Sequence, residues 1–120
     1  MNEKQIGTAG EYLACFNAMK NGHYAYMTTS GCEYDICVEV NDIIYKVQVK
    51  SSTYSRSKSN KSLSFTIARR NKVVSKYNVD IFALVDIKAE KVAWFWSKDL
   101  GSHRKSVKKK DFKNYNINNL

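Results

Sequence analysis

Residues 34–51 read YDICVEVNDIIYKVQVKS, and the alternation in this stretch decides the fold. Tyr34, Ile36, Val38 and Val40 recur at every second position, as do Tyr45, Val47 and Val49, which is the period of two strands with one apolar face each. The opposite faces carry Asp35, Cys37 and Glu39, then Ile44, Lys46, Gln48 and Lys50. Asn41-Asp42 between them suits a two-residue hairpin turn, because Asn and Asp tolerate the left-handed backbone such a turn needs. With that turn, Asp35 faces Gln48, and Lys50 follows two residues along on the same side. A slip of one residue would put Asp35 and Gln48 on opposite faces, so the turn decides whether an acid, an amide and an amine converge at the open end of the hairpin.

Upstream, Lys4 to about Asn21 predicts a helix. Ile6, Ala9, Leu13, Phe16 and Met19 recur at three- and four-residue steps as an apolar stripe, and Asn21-Gly22 supplies a stop. Gly7, Ala14 and Ala18 surround Glu11 at helical spacing; such a small-residue face lets a helix approach a sheet and aim Glu11 across it, the alternative being a solvated glutamate. His23 to Thr29 predicts a short strand, with a Ser30-Gly31 turn into the hairpin.

Downstream, STYSRSKSNKS over 52–62 is polar and basic and predicts a mobile loop. Leu63, Phe65 and Ile67 alternate as a strand ending at Arg69-Arg70, with a helical turn around Asn71 to Tyr77. VDIFALVDI over 79–87 is near-continuously apolar, the pattern of a strand covered on both faces, and Lys88 to Lys91 turns it into Val92 to Trp96. The last stretch, from 102 to 120, starts basic and becomes Asn-rich; it reads as a short helix lying on nucleic acid or as a frayed tail. The expected architecture is α/β, one domain over 1–120: an N-terminal helix, then a mixed sheet with few helices, and a basic segment over 101–120. Whether VDIFALVDI pairs in parallel stays open.

A chain of 120 residues, 43% hydrophobic and 12% aromatic, can bury one core. It has no apolar run of membrane-spanning length, and its opening residues lack a secretory layout. Three cysteines without a CxxC pair agree with a reducing compartment, so the expected location is cytoplasmic. The charge of +9 is uneven. Residues 1–50 carry four lysines against six acids, 51–79 seven Lys or Arg and no acid, and 101–120 six against one. An acidic region flanked by basic ones suits a cation at the acids and a polyanion along the flanks.

Hydrolysis of a phosphodiester needs shielding of phosphate charge, an activated water and a stabilised leaving oxygen. Magnesium takes hard oxygen ligands, so the Asp35 carboxylate, the Gln48 amide oxygen and a second carboxylate from Glu11 make a suitable set. Lys50 can orient water, act as a base if its pKa is lowered, or stabilise the pentavalent phosphate. Its plain alternative is a strand-end lysine that protects an edge. Ser51 and Ser52 can hydrogen-bond a phosphate, and Arg56, Lys58, Lys61, Arg69 and Arg70 are candidates for the DNA backbone. Asp80 reads as a turn or capping residue, and Cys32, Cys37, His23 and His103 lack zinc-finger spacing. Trp94 and Trp96 alternate with Phe95, which fits core or subunit contact better than base stacking.

Glu11 in a first helix, YD at 34–35 and QVK at 48–50 after a hairpin resemble the pattern of PD-(D/E)xK nucleases. The GTAGEYLA opening and the QVKSSTYSRS run are most similar to group I intron homing endonucleases of that type and to archaeal-type Holliday junction resolvases. The resemblance spans roughly Gly7 to Trp96. It implies a restriction-endonuclease-like core and cleavage of double-stranded DNA, branched DNA included, by a homo-oligomer, a dimer or a tetramer. The implied cofactor is magnesium, with manganese as a substitute. By position, Glu11 and Asp35 would be metal ligands, Gln48 would stand at the usual acid, and Lys50 would be the catalytic lysine. Two departures are Tyr34 in place of Pro and Gln48 in place of Asp or Glu; the second leaves a binding protein of the same fold as the alternative to a nuclease.

Overall fold

A computed structural model of the chain describes residues 1–29, 31–53, 61–67, 78–101 and 103–120. Helix α1, Glu3–Lys20, starts where Asn2 and Gln5 cap each other: the Asn2 side chain accepts from the Gln5 N–H and the Gln5 side chain from the Asn2 N–H, both at 2.9 Å. Among the described residues seven strands follow: β1 Tyr24–Met27, β2 Ile36–Val40, β3 Ile43–Ser52, β4 Ser62–Thr66, β5 Ile81–Asp86, β6 Lys91–Trp96 and β7 Arg104–Lys108. Five form one mixed sheet in the order β1-β2-β3-β5-β6, and β4 pairs with β7 in a small antiparallel sheet.

The turn between β2 and β3 is the predicted one. Asn41 and Asp42 both have positive φ, 52° and 65°, as a two-residue hairpin requires, and the register follows, with Val40 opposite Ile43 and Ile36 opposite Val47. β3 and β5 pair in parallel, which settles the open pairing of VDIFALVDI. Every residue of β5 is buried, as its unbroken apolar run predicts.

The sheet has a core on each face. Ile36, Val38, Val47, Ile81, Ala83, Val85 and Trp94 pack beneath α1. Phe82, Leu84, Ala93 and Phe95 pack on the other face against Leu63, Phe65 and Val107 of the small sheet and Phe112 beyond it. Trp94 and Phe95 therefore sit in opposite cores, and Trp96 packs edge-on against Tyr45 at 5.2 Å. Asp80 is a structural cap: its carboxylate accepts from the Lys46 N–H at 2.9 Å, and its own N–H donates to Lys46 O.

Three expectations are corrected. The helix does not bury its largest side chains: Gly10, Ala14, Cys15 and Ala18 face the core, whereas Phe16 and Met19 are exposed. Small side chains let the helix sit close to the sheet, and a close approach leaves no room for Phe or Met beneath it. The C-terminus is not a frayed tail, and its helical part is 3-10 and anchored in the core by its apolar side chains. β7 is followed by 3-10 segments at Lys109–Tyr115 and Ile117–Asn119, with Phe112 buried in the outer core and Ile117 in the core beneath α1. The chain thus passes β6 from one face of the sheet to the other. Tyr34, which alternation places with Ile36, packs instead on the outer core, because β2 loses its regular pleat at Asp35.

Candidate active site

The β2–β3 ladder stops at Ile36–Val47. Asp35 is not the pairing partner of Gln48 that strict alternation predicts: its N–H donates to Val47 O at 3.0 Å, a one-residue offset from the ladder. Its carboxylate Oδ2 accepts the Val49 N–H at 2.8 Å, taking the place a backbone carbonyl would hold. The carboxylate therefore lies at the end of a strand, near the plane of the sheet, within reach of groups on both faces. Thr28 fixes this break from the other side. Its N–H donates to Asp35 O at 3.2 Å, and its hydroxyl lies within donating distance of two carbonyls, Tyr34 O at 2.7 Å and Asp35 O at 2.9 Å. Sequence reasoning missed Thr28, because nothing local marks a threonine that clamps a neighbouring strand.

Glu11 comes from the helix side. Adjacent Gly10 is in close contact with β3; a methyl there would overlap Ser51 Oγ and Cβ. Burial raises the Glu11 carboxyl above its ordinary range, and the Asp35 carboxylate raises it further. Burial raises the Asp35 carboxyl too, opposed by the Val49 N–H and the Lys50 ammonium. Glu11, Asp35 and Lys50 thus share one electrostatic site. Cys15, one turn beyond Glu11, is pushed up to about 11, mainly by burial, and stays a protonated thiol at neutral pH.

Gln48 and Lys50 lie side by side with Phe82 and Leu84 of β5, on the face away from α1. Gln48 Oε1 is buried with no hydrogen-bond partner among the described residues. A buried acceptor left unmet costs about 1–3 kcal/mol, so it marks a place where a donor or a cation belongs. Glu11 and Asp35 share one field, and Gln48, next in the chain to the Val49 whose N–H Asp35 accepts, adds an unmet neutral oxygen; donors of these kinds are the hard oxygens that a divalent cation such as magnesium takes. No trio of His, Cys, Asp or Glu with metal-binding proximity occurs among the described residues.

Lys50 also lines an open cleft of about 450 Å³ between the start of α1, the end of β3 and the small sheet. Ser51, Ser52, Thr53, Ser64, Thr66 and Arg104 add to its polar wall, with Glu3 as the one acid lining it among the described residues. Arg104 Nε donates to Ser64 Oγ at 3.0 Å, which orients the guanidinium. Arg104 was hidden in the sequence by its reading as helix or tail; the alternation of Lys105 and Val107 within RKSVK is the signal for a strand. Of the candidate DNA-binding residues, Ser51 and Ser52 both line the cleft, but Ser51 Oγ is buried against α1. Lys61 precedes β4, its carbonyl accepting the Lys109 N–H at 2.8 Å. Arg56, Lys58, Arg69 and Arg70, and the expected turn at Asn71 to Tyr77, lie outside the described residues.

Residues 1–117 match the family described as PD-(D/E)XK endonuclease, and the chain belongs to it. The fold is that of two solved structures. One is the bacterial homing endonuclease I-Ssp6803I, with a TM-score of 0.69 and 21% identity over 88% of this chain and 75% of that one. The other is Hjc, a Holliday junction resolvase from the archaeal hyperthermophile Archaeoglobus fulgidus, with a TM-score of 0.55 and 14% identity over 90% of this chain and 88% of that one. No curated protein matches the sequence. The restriction-endonuclease-like α/β fold is thereby shown. No described helix is long and apolar enough to cross a membrane.

Proposed function

We propose that the chain is a magnesium-dependent endonuclease that hydrolyses phosphodiester bonds in double-stranded DNA, in the manner of a homing endonuclease. The observation that carries this reading is the Asp35 carboxylate held on the Val49 N–H, between Lys50 and the unpartnered Gln48 oxygen of the same strand, in one field with Glu11 and Lys50. Glu11, Asp35 and Gln48 would hold the cation, which supplies Lewis-acid activation of water and neutralises phosphate charge.

The protein's own groups do the rest. Asp35 is held by Val49 and Thr28, so its carboxylate is positioned before substrate arrives. Lys50, on the same strand face as Gln48, places an ammonium at the cleft wall to orient the attacking water and to stabilise the charge that develops on phosphate. Arg104 and the hydroxyls of Ser52, Thr53, Ser64 and Thr66 would grip backbone phosphates along the cleft. With glutamine in place of an acid the site carries one negative charge fewer, which predicts weaker cation binding than a site with three carboxylates.

The test is cleavage by purified protein, with magnesium or manganese, of supercoiled plasmid, a synthetic four-way junction and single strands. Plasmid cutting is the expected result, and preference for the junction over its linear arms would move the reading to a resolvase. If all three substrates stay intact while DNA binds tightly, the chain is a binding protein and the catalytic reading fails. Arg104→Ala should weaken binding across sequences and reduce the slope of log K against log salt by about 1.

A further inference from the structure

The face of the five-stranded sheet that turns away from α1 is covered in one half and open in the other. Over β5 and β6 the small sheet lays Leu63, Phe65 and Val107 on Phe82, Leu84, Ala93 and Phe95. Across β1, β2 and the start of β3 the same face meets solvent, with Tyr24, Tyr26 and Ile44 exposed by 69%, 49% and 61%. Strand alternation fixes these directions. Ala25 packs on the core beneath α1 and Met27 Sδ lies 3.7 Å from Cys15 Sγ, so Tyr24 and Tyr26 point the other way.

The register lays the open half out in two rows. Tyr24, Glu39 and Ile44 form the row nearer the hairpin turn, and Tyr26, Cys37 and Lys46 the row nearer the candidate active site. Lys46 Nζ stands 5.6 Å from the centre of the Tyr34 ring, next in the chain to Asp35, so this row reaches the border of the site. Along β3, Lys46, Gln48 and Lys50 share the face, which sets the two lysines about 13 Å apart with Gln48 between them. Tyr26 stands two strands over from Lys46, about 10 Å away.

A single strand of nucleic acid has the matching layout. Its evenly spaced phosphates suit the lysines of β3, and its bases, which project to one side of the backbone, suit exposed rings two strands away. Aromatic side chains on an open sheet face stack bases of any kind, because every base has a π-face. Paired bases cannot use them, since neighbours in the duplex already cover both faces. The charges of the two rows agree with this direction: Lys46 lies beside the backbone, and Glu39 lies in the far row, where a carboxylate accepts from base amino groups.

We propose that this face stacks unpaired bases of the DNA strand whose phosphate lies at Asp35 and Lys50, with Tyr24 and Tyr26 as the platform and Lys46 on the backbone. The substrate class is DNA with bases unpaired beside the cut, as at a tail, a flap or a branch point. Continuity with Gln48 and Lys50 assigns the face to nucleic acid, and in that the proposal rests on the nuclease reading above.

Fluorescence anisotropy in cation-free buffer tests it, with a duplex that carries a short single-stranded tail and the same duplex with the tail paired. The tailed form is expected to bind on the order of 100-fold tighter, Tyr24→Ala and Tyr26→Ala each to lose on the order of 10-fold on the tail and nothing on the paired form, and Tyr26→Phe to bind as wild type. Equal affinity for the two duplexes, or alanine variants that hold the tail as tightly as wild type, overturns the proposal. A loss in Tyr26→Phe as large as in Tyr26→Ala overturns it too, since the hydroxyl and not the ring would then make the contact. Should a variant misfold, photo-crosslinking of the wild type to a 5-iodouracil in the tail decides: adducts on Tyr24 or Tyr26 support the platform, and adducts elsewhere or none refute it. None of these readouts needs cleavage, so an inactive protein leaves them unchanged, and a failed platform leaves plasmid cutting unchanged.

Discussion

The β2–β3 hairpin is regular at one end and broken at the other. At the turn, Asn41 and Asp42 take the left-handed backbone, Val40 pairs with Ile43, and each side chain falls on the face that alternation assigns. At the open end the ladder stops at Ile36–Val47, Asp35 bonds out of register, and its carboxylate takes the Val49 N–H. A strand kept regular to its end would have locked Asp35 on one face of the sheet. The break lets one carboxylate share a field with Glu11 from the helix side and Lys50 from the other. Regularity serves the fold here, and the departure from it serves the proposed chemistry.

Substitutions at the two ends should separate accordingly. Asp35→Ala and Lys50→Ala are each expected to lower cleavage on the order of 10³-fold, the scale of losing a group that stabilises transition-state charge, while DNA binding persists. Single-turnover cleavage checks this, and near-normal rates in either variant would remove that residue from its role. The next effect is structural. Gly10→Ala gains about 1 kcal/mol of helix propensity but drives a methyl into Ser51, and overpacking of that kind costs about 1–3 kcal/mol. Net destabilisation in denaturant unfolding is therefore expected, with recovery when Ser51→Gly is added; an unaffected Gly10→Ala would mean that the helix can lift from the sheet freely.

Gln48→Met removes the orphaned oxygen. Without cation it should stabilise the protein by about 1 kcal/mol, and it should abolish the rise in Tm on adding magnesium. A loss of stability would show that the oxygen is satisfied in solution. The carboxyls give a pH signature. Glu11 and Asp35 are raised from ordinary values of 4.5 and 3.8, so folding favours their protonated forms. That stability is complete below the ordinary values and is lost as pH rises through the raised ones. In cation-free buffer the Tm of Glu11→Gln relative to wild type should therefore increase between those values and neutrality, and magnesium should shrink the difference. A pH-independent difference would contradict the raised Glu11. The smallest effect belongs to the regular end: Asp42→Gly suits the turn, should shift stability by no more than about 0.5 kcal/mol, and should leave cleavage unchanged.

Much of this was legible in the residues. The Asn41-Asp42 turn set the register, the unbroken run of β5 announced burial on both faces, and the small residues near Glu11 foretold a close helix. The larger stripe through Phe16 and Met19 misled, because spacing shows which side chains share a helix face but not which face the sheet can accommodate. Arg104 and Thr28 were invisible for a related reason: each acts across a long sequence separation, on Ser64 and on Asp35 respectively.

By itself, then, the sequence determined what depends on short-range period and turn chemistry: the hairpin, the buried strand, and the motif pattern that resembles the PD-(D/E)XK endonuclease family to which the chain belongs. Only the tertiary structure decided how the groups of that pattern meet. The break at Asp35 is held by partners from Val47, Val49 and Thr28, all distant in the chain from it or from one another, and Gln48 Oε1 is buried with no hydrogen-bond partner among the described residues. Both depend on where distant segments come to rest, which a period of two cannot encode.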